Sequence, residues 1–332
     1  MAVLVTGVAG FIGFHLADAL MTRGERVVGI DNFNSYYDPA LKSARVDALL
    51  GRHGANFTSH RLDFADETAL EMALTNADFD RIVHLGAQAG VRYSLENPGA
   101  YVRSNLVGHV NILEMARRRD IAHLVYASSS SVYGENRKQP FSVEDRADHP
   151  VSLYAATKRA DELMSESYAH LYRIPQTGLR FFTVYGPWGR PDMAVWLFTS
   201  AILEGRPIQV FNHGRMQRDF TFIDDIVAGV VACLDHPPVD DHAIKPGGSR
   251  APHRLYNIGN NRPEALGTLI DLIEAACDRP AIREYREMQP GDVPLTYADI
   301  DAITGDLGFA PRTSLADGIP RFVDWYRAYR SG

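Results

Sequence analysis

Cysteine is scarce in this chain of 332 residues, where only Cys233 and Cys277 occur. Two thiols so far apart, with no metal-ligand spacing around them, give neither a disulfide framework nor a metal site. They read as reduced, buried groups of a reducing compartment. Positive charge is short as well: 34 Lys and Arg face 41 Asp and Glu, a net charge of −7. That leaves no broad basic surface and excludes nucleic acid as a partner. An anionic ligand must therefore be met by a few well-placed donors. Long apolar runs are missing too, since none approaches the ~20 residues that span a bilayer. The opening stretch MAVLVTGVAGFIGFHLADAL is apolar, but glycines break it, it has no basic n-region, and Asp18 falls in its second half. No signal peptide or membrane partner is expected, and the localisation expected is cytoplasmic. A last absence is local. In YASSSSVYGENR, residues 126 to 137, four serines run into Val-Tyr-Gly without a carboxylate among them.

What is present is an ordinary globular composition, 45% hydrophobic and 23% charged, in a chain long enough for two domains or one large domain with an appendage. Short β-branched runs (AVLVTG, RVVGID, FTSHRLD, RIVHLGA, HLVYASS, TGLRFFTVYG) alternate with amphipathic helical patterns. Several runs lack polar alternation, as expected of strands covered on both faces. Such alternation predicts an α/β fold with a doubly wound, Rossmann-like parallel sheet, whose ligands lie beyond the carboxyl ends of the strands. After residue 185 prolines and glycines become frequent, and helices are expected near 194–204, 223–235, 264–277 and 314–329. The expected division is a dinucleotide-binding domain over 1–185 and a smaller mixed α/β substrate domain over 186–332. A segment about 220–236 is placed to pack back on the first.

VTGVAGFIG sets Gly7, Gly10 and Gly13 three residues apart, directly after the first strand and opening a helix. The first glycine permits a tight turn, the second a close approach to a pyrophosphate, and the third close helix–strand packing. Asp31 ends the second strand 18 residues beyond Gly13. A carboxylate there accepts from both ribose hydroxyls of an adenosine and repels a 2′-phosphate, which favours NAD over NADP. A glycine-bearing turn and a helix-capping Asp are the plain alternative; strand, helix and acid standing in register outweigh it. Asp63, ending the third strand, is equally readable as an adenine-side contact or a cap.

SLYAATK places Lys158 one helical turn after Tyr154, on the same face. A phenol, with an ordinary pKa of ~10, is a poor base at neutral pH. An adjacent ammonium and a cationic nicotinamide ring both favour the phenolate. Ser129, at a strand end, precedes the tyrosine by 25 residues.

GxxGxxG, the SSSSVYG strand end and YxxxK at these spacings resemble the extended short-chain dehydrogenase/reductases over essentially the whole chain. Within them DNFNSYYDPALK, GVRYSLENP and VYGPWGRPDMA resemble the nucleotide-sugar 4-epimerases, those acting on UDP-glucuronate most of all. The resemblance implies a tightly held, recycled NAD and a UDP-sugar substrate. It also implies a homodimer formed through helices at about 99–118 and 153–172. It makes Tyr154 the base at the sugar 4-hydroxyl while hydride passes from C4 to NAD, with Ser129 bonding the same oxygen. Lys158 holds the nicotinamide ribose. The implied cofactor set includes Gly7, Gly10, Phe11, Ile12, Gly13, Asp31 and Asn32, then Asp63, Phe64, Leu85, Ala87, Asn105 and Phe182, with Tyr154 and Lys158.

Relatives that dehydrate or decarboxylate a 4-keto sugar carry an acid where this chain has Ser130 and Ser131. A serine is far too weak an acid or base for elimination, so reversible oxidation and reduction is the expected chemistry. A glucuronate oxidised at C4 is a β-keto acid, and its carboxylate must be held near the carbonyl plane to survive. Thr183, where neutral-sugar epimerases carry an Asn, and Arg190, with a bidentate fork, are the expected donors. A loop salt bridge from Arg190 to Asp192 is the alternative. Arg218 matches a diphosphate-binding position and Asp292 one near the uridine ribose, whereas Gln289 stands in place of a second diphosphate arginine. Gln88, Arg92 and Ser130 complete the expected substrate set. An epimerase of neutral or N-acetylated UDP-hexoses, or a nucleotide-sugar dehydratase or decarboxylase, is the alternative activity.

Overall fold

A computed structural model describes residues 2–288 and 293–331; Gln289 and Asp292 lie outside them. Seven strands form one all-parallel sheet: β1 (Ala2–Thr6), β2 (Arg26–Asp31), β3 (Phe57–Arg61), β4 (Phe79–His84), β5 (His123–Ser129), β6 (Gln176–Phe181) and, far along the chain, β10 (His253–Ile258). Their order is β10-β6-β5-β4-β1-β2-β3. The order reverses between β1 and β4, where a crevice opens at the carboxyl ends. β1 is buried at every position and β6 likewise, which is why both read as continuous rather than alternating runs.

The remaining strands build two small sheets. β7 (Thr183–Tyr185), β9 (Gln217–Phe222) and β11 (Pro263–Ala265) form one, in the order β11-β9-β7; β8 (Ile208–Phe211) pairs with β12 (Arg283–Arg286) in the other. With the helices Ala194–Glu204, Leu266–Cys277 and Leu315–Ser331 they make a smaller α/β unit beyond the large sheet. TGLRFFTVYG reads as one strand, but it divides at Phe182. The Phe182 amide still reaches Ile258 O of β10, at 3.2 Å, after which the chain turns to pair with β9. From beyond residue 185 the chain returns to the large sheet twice. The helix Ile223–Asp235 lies against the helix Phe11–Thr22 and β5, and β10 pairs with β6 along six residues.

Helix starts follow local chemistry. Asp38 caps Pro39–His53 through Ala40 N, and Asp66 caps Glu67–Leu74 through Ala69 N. Ser152 accepts from Ala155 N and so begins the long helix Leu153–Tyr172 with Tyr154 in its first turn. One stretch departs from regular helix: Val102–Val107 is π-helical, between α-helical Pro98–Tyr101 and Gly108–Arg118.

Under the serine strand end lies a buried ionic knot. Glu162 accepts Arg180 Nε at 2.8 Å and Nη2 at 2.9 Å, and Ser128 Oγ at 2.6 Å. Both charged side chains are about as buried as the core, 1% and 2% exposed. Glu162→Ala would leave the guanidinium unpaired in the interior, and a loss of about 3–5 kcal/mol is expected. Urea unfolding measures it; a loss within about 1 kcal/mol would show that the pair does not organise the strand end.

Candidate active site

A continuous cleft of about 990 Å³ runs along the carboxyl ends of the sheet, and both the glycine turn and loops beyond residue 185 line it. Gly7 sits at φ 69°, and a Cβ there would meet Gly86 N at 2.8 Å; a Cβ on Gly13 would overlap the carbonyl oxygen of Gly7. These positions thus leave a backbone-lined cradle where the helix Phe11–Thr22 begins. Phe11 and Ile12 line the cleft beside Gly10, as do Asp31 and Asn32 at the end of β2. Asp31 accepts from Ala9 N at 3.2 Å and from Phe33 N at 2.8 Å, which ties the second strand end to the glycine turn. Burial pushes its carboxyl above the usual range, against the charges of Lys42 and Arg45. Phe64, Leu85, Ala87 and Phe182 also line the cleft. Cradle, carboxylate and small-residue strand ends fit a dinucleotide.

Two expected cofactor residues are engaged by the protein itself. Asp63 accepts from Ala65 N and pairs with Arg103 Nε at 3.1 Å. Asn105 is buried in the π-helical turn, where its side chain bonds both backbone groups of Gln88 and the Thr157 hydroxyl. It braces the loop after β4 against the long helix.

Tyr154, Lys158, Ser129, Ser130 and Ser131 meet on one wall. Tyr154 packs edge-on against Tyr101, ring centres 6.0 Å apart. Lys158 Nζ donates to Ala127 O and to Asp161 Oδ2, both at 3.0 Å. Burial pushes Asp161 up to about 6 even though Lys158 opposes it. Ser129 shares a hydrogen bond with Ser131 at 3.0 Å, while Ser128 turns inward to Glu162. Among the described residues the cleft lining holds no Asp or Glu except Asp31, at the end of β2, and Asp192, on the turn after Gly189.

The same cleft is lined by Gln88, Arg92, Thr183, Arg190 and Arg218. The Arg92 guanidinium lies 5.3 Å over the Phe211 ring. Arg218 donates to Gln217 O and Pro294 O at 2.9 and 3.2 Å. Arg190 grips Asp192, Nε to Oδ1 at 3.0 Å and Nη2 to Oδ2 at 2.5 Å. The loop salt bridge weighed from sequence is therefore present. Asp292 lies outside the described residues.

Several organising residues escaped the sequence reading. Glu162 and Arg180 look like surface charges in a linear sequence. Asp219, next to Arg218, is fully buried and accepts the amides of Asn260, Asn261 and Ala298 at 2.6, 3.1 and 3.0 Å. Burial pushes it up to about 6. An Asp inside the otherwise apolar DFTFI was the available signal. Tyr36 and Lys42 lie within DNFNSYYDPALK and Arg45 three residues beyond it, where nothing in the linear sequence marks them as interior fastenings.

A glycine cradle, an acid closing β2 and a Tyr–Lys–Ser set on a parallel sheet define a dinucleotide-dependent oxidoreductive enzyme of the extended short-chain type. The chain belongs to the NAD dependent epimerase/dehydratase family, whose profile matches residues 3–259. As an epimerase of that family it is an isomerase, with NAD as its cofactor. It is 49% identical to a probable UDP-glucuronate 4-epimerase of Rhizobium meliloti over 98% of this chain and 97% of that protein. UDP-glucuronate 4-epimerase 4 of Arabidopsis thaliana is 47% identical over 100% of this chain and 76% of its own length. The crystal structure of UDP-glucuronic acid 4-epimerase from Bacillus cereus with UDP-glucuronic acid and NAD superposes with a TM-score of 0.86. It is 32% identical, and the match covers 99% of this chain and 100% of that one.

Gly13→Ala should fold yet emerge from purification with almost no NAD, because its methyl group meets the Gly7 carbonyl. Nucleotide released on denaturation is the measurement, and a full complement would remove the cradle from the cofactor site.

Proposed function

We propose that the protein interconverts UDP-glucuronate and UDP-galacturonate through a transient 4-ketone, with no net redox change. The observation that carries this reading is the composition of the cleft, which joins Tyr154, Lys158 and a run of serines with no carboxylate among them to Thr183 and Arg190. The glycine turn and Asp31 would hold NAD, which would supply a reversible hydride acceptor for sugar C4. Tyr154 takes the 4-hydroxyl proton and gives it back, Ser129 holds the same oxygen, and Lys158 supplies positive charge beside the phenol. Arg218 neutralises the diphosphate, while Thr183 and Arg190 hold the C5 carboxylate near the carbonyl plane. In that plane the bond to carbon dioxide gains no overlap. Ser130 and Ser131 are too weakly acidic to drive elimination. Residues 1–185 with β10 and the helix Ile223–Asp235 serve the cofactor; the rest of 186–332 serves the nucleotide sugar. Two free, buried cysteines suit a cytoplasmic setting, and among the described residues no helix is long and apolar enough to cross a membrane.

A homodimer belongs to the same reading. Val102 and Val107 on one helical stretch and Leu163 and Leu171 on the other are 44–65% exposed, a density of apolar surface that a partner helix pair would cover. The double change Leu163→Glu, Leu171→Glu is expected to give a folded monomer by light scattering; an unchanged mass would place any interface elsewhere.

The purified protein, given UDP-glucuronate and no added NAD, should yield UDP-galacturonate by NMR. Release of a UDP-pentose would point to decarboxylation, and turnover of UDP-glucose alone would refute the carboxylate reading. Tyr154→Phe should keep its NAD and lose at least about a hundredfold in turnover; near-normal turnover would remove it as the base.

A further inference from the structure

The turn Gly186–Asp192 is fastened to the cofactor side of the molecule at every residue from 187 to 189. His15 Nε2 bonds Pro187 O at 2.8 Å, and burial lowers His15 to about 4, so the neutral ring donates. Arg45, fully buried, donates Nη2 to Trp188 O at 2.6 Å and to Gly189 O at 3.3 Å. Its Nη1 holds Ala9 O in the glycine turn and the Tyr37 hydroxyl, both at 2.8 Å. Trp188 itself packs on Phe14 and Trp325. The backbone that carries Arg190 is therefore rigid before any sugar arrives.

The side chain is held as firmly. Asp192 takes the Nε–Nη2 edge of the guanidinium, and the Tyr36 hydroxyl donates to Asp192 Oδ2 at 3.0 Å. Burial and the Asp192 charge push Tyr36 up to about 12, so the phenol remains a donor at neutral pH. Burial opposes ionisation of Asp192, yet Arg190 and Tyr36 keep its carboxyl below the usual range. Tyr36 is in turn fitted over Gly90, where φ is 102° and an added Cβ would stand 2.5 Å from the phenol oxygen.

We propose that Asp192, braced by Tyr36, is a positioning residue for Arg190. It occupies one edge of the guanidinium so that the other edge meets the sugar carboxylate in a single orientation. This rests on the function proposed above and goes beyond it by assigning the fidelity of the reaction to a resident counter-ion. The resident carboxylate fixes which edge is offered and cancels the charge that would otherwise hold acidic substrate and product indiscriminately.

A slack Arg190 has a specific chemical consequence. Once C4 is a ketone, a C5–C6 bond turned out of the carbonyl plane's control can break. Its electron pair passes to C5 as an enolate, carbon dioxide leaves, and a proton quenches C5. The sugar is then a UDP-4-keto-pentose, and its departure before reduction leaves the C4 hydride on the nicotinamide. A merely structural weakness would lower all turnover without changing this partition.

The test compares the full-length NAD-bound wild type, Asp192→Asn and Tyr36→Phe on UDP-glucuronate. It follows UDP-galacturonate and UDP-4-keto-pentose by NMR, and reduced nicotinamide by absorbance. Calorimetry gives the affinities for UDP-glucuronate and UDP-glucose. Asp192→Asn should raise the ratio of decarboxylation to epimerisation by about tenfold, as expected for loss of a charge-assisted bond. It should also tighten UDP-glucuronate relative to UDP-glucose. Tyr36→Phe, which keeps the ion pair, should shift the partition the same way by a smaller factor. Partition and relative affinity at wild-type values in both variants overturn the proposal, and Tyr36→Phe alone decides it should Asp192→Asn not fold. If the wild type makes no UDP-galacturonate, the proposed function fails and takes this inference with it; if it does and the variants behave like it, this inference alone fails.

Discussion

The pairing of Glu162 with Arg180 is the constraint around which the reacting wall is arranged. Two opposite charges buried beneath a strand end gain little net stability, because desolvation offsets most of their attraction. What they gain is geometry. Glu162 stands one turn beyond Lys158 on the helix Leu153–Tyr172, Arg180 stands on β6, and Ser128 on β5 joins them. Helix and strand end cannot slide past each other without exposing an unpaired charge to the core. The relation of Tyr154 to the serines is set by that cost.

The network continues outward. The Arg180 guanidinium lies 4.8 Å over the Tyr133 ring, the Tyr133 hydroxyl donates to Asn257 Oδ1 at 2.6 Å, and Asn257 Nδ2 donates to Phe141 O and Asp299 O. The Val-Tyr-Gly that follows the serines thereby reaches β10 and the segment that closes the substrate side. On the other flank, Arg45 and His15 tie the glycine turn and its helix to the backbone of the turn Gly186–Asp192. The glycine turn and the turn Gly186–Asp192 are thus one mechanical unit, linked by Arg45 and His15.

Much of this was legible. Six of the seven strands of the large sheet announce themselves as β-branched runs, and the glycine spacing, Asp31 and YxxxK give the cleft its chemistry. Four helices after residue 185 fall close to where their periodicity places them, whereas the short helix Asp301–Leu307 has no such signal. What stayed hidden has a common physical cause: residues polar by type but buried by context. β10 reads His-Arg-Leu-Tyr-Asn-Ile, and no hydrophobic pattern finds it, yet all six positions are buried. Glu162, Arg180, Arg45 and Asp219 are charged, so a linear reading assigns them to solvent; only three-dimensional pairing shows them as interior fastenings. The π-helical turn around Asn105 is likewise a tertiary accommodation that propensity does not encode.

The late arrival of β10 has a consequence for how the chain can be cut. A fragment ending near residue 185 would carry the glycine turn, Asp31 and the YxxxK helix and look self-sufficient on paper. It would also leave the outer edge of β6 as a bare row of amides and carbonyls, flanked by the apolar surface that Ile223–Asp235 normally shields. An open parallel edge of that kind invites strand-to-strand association between copies. The large sheet is complete only once residues 253–258 are added, long after the edge they cover has been made.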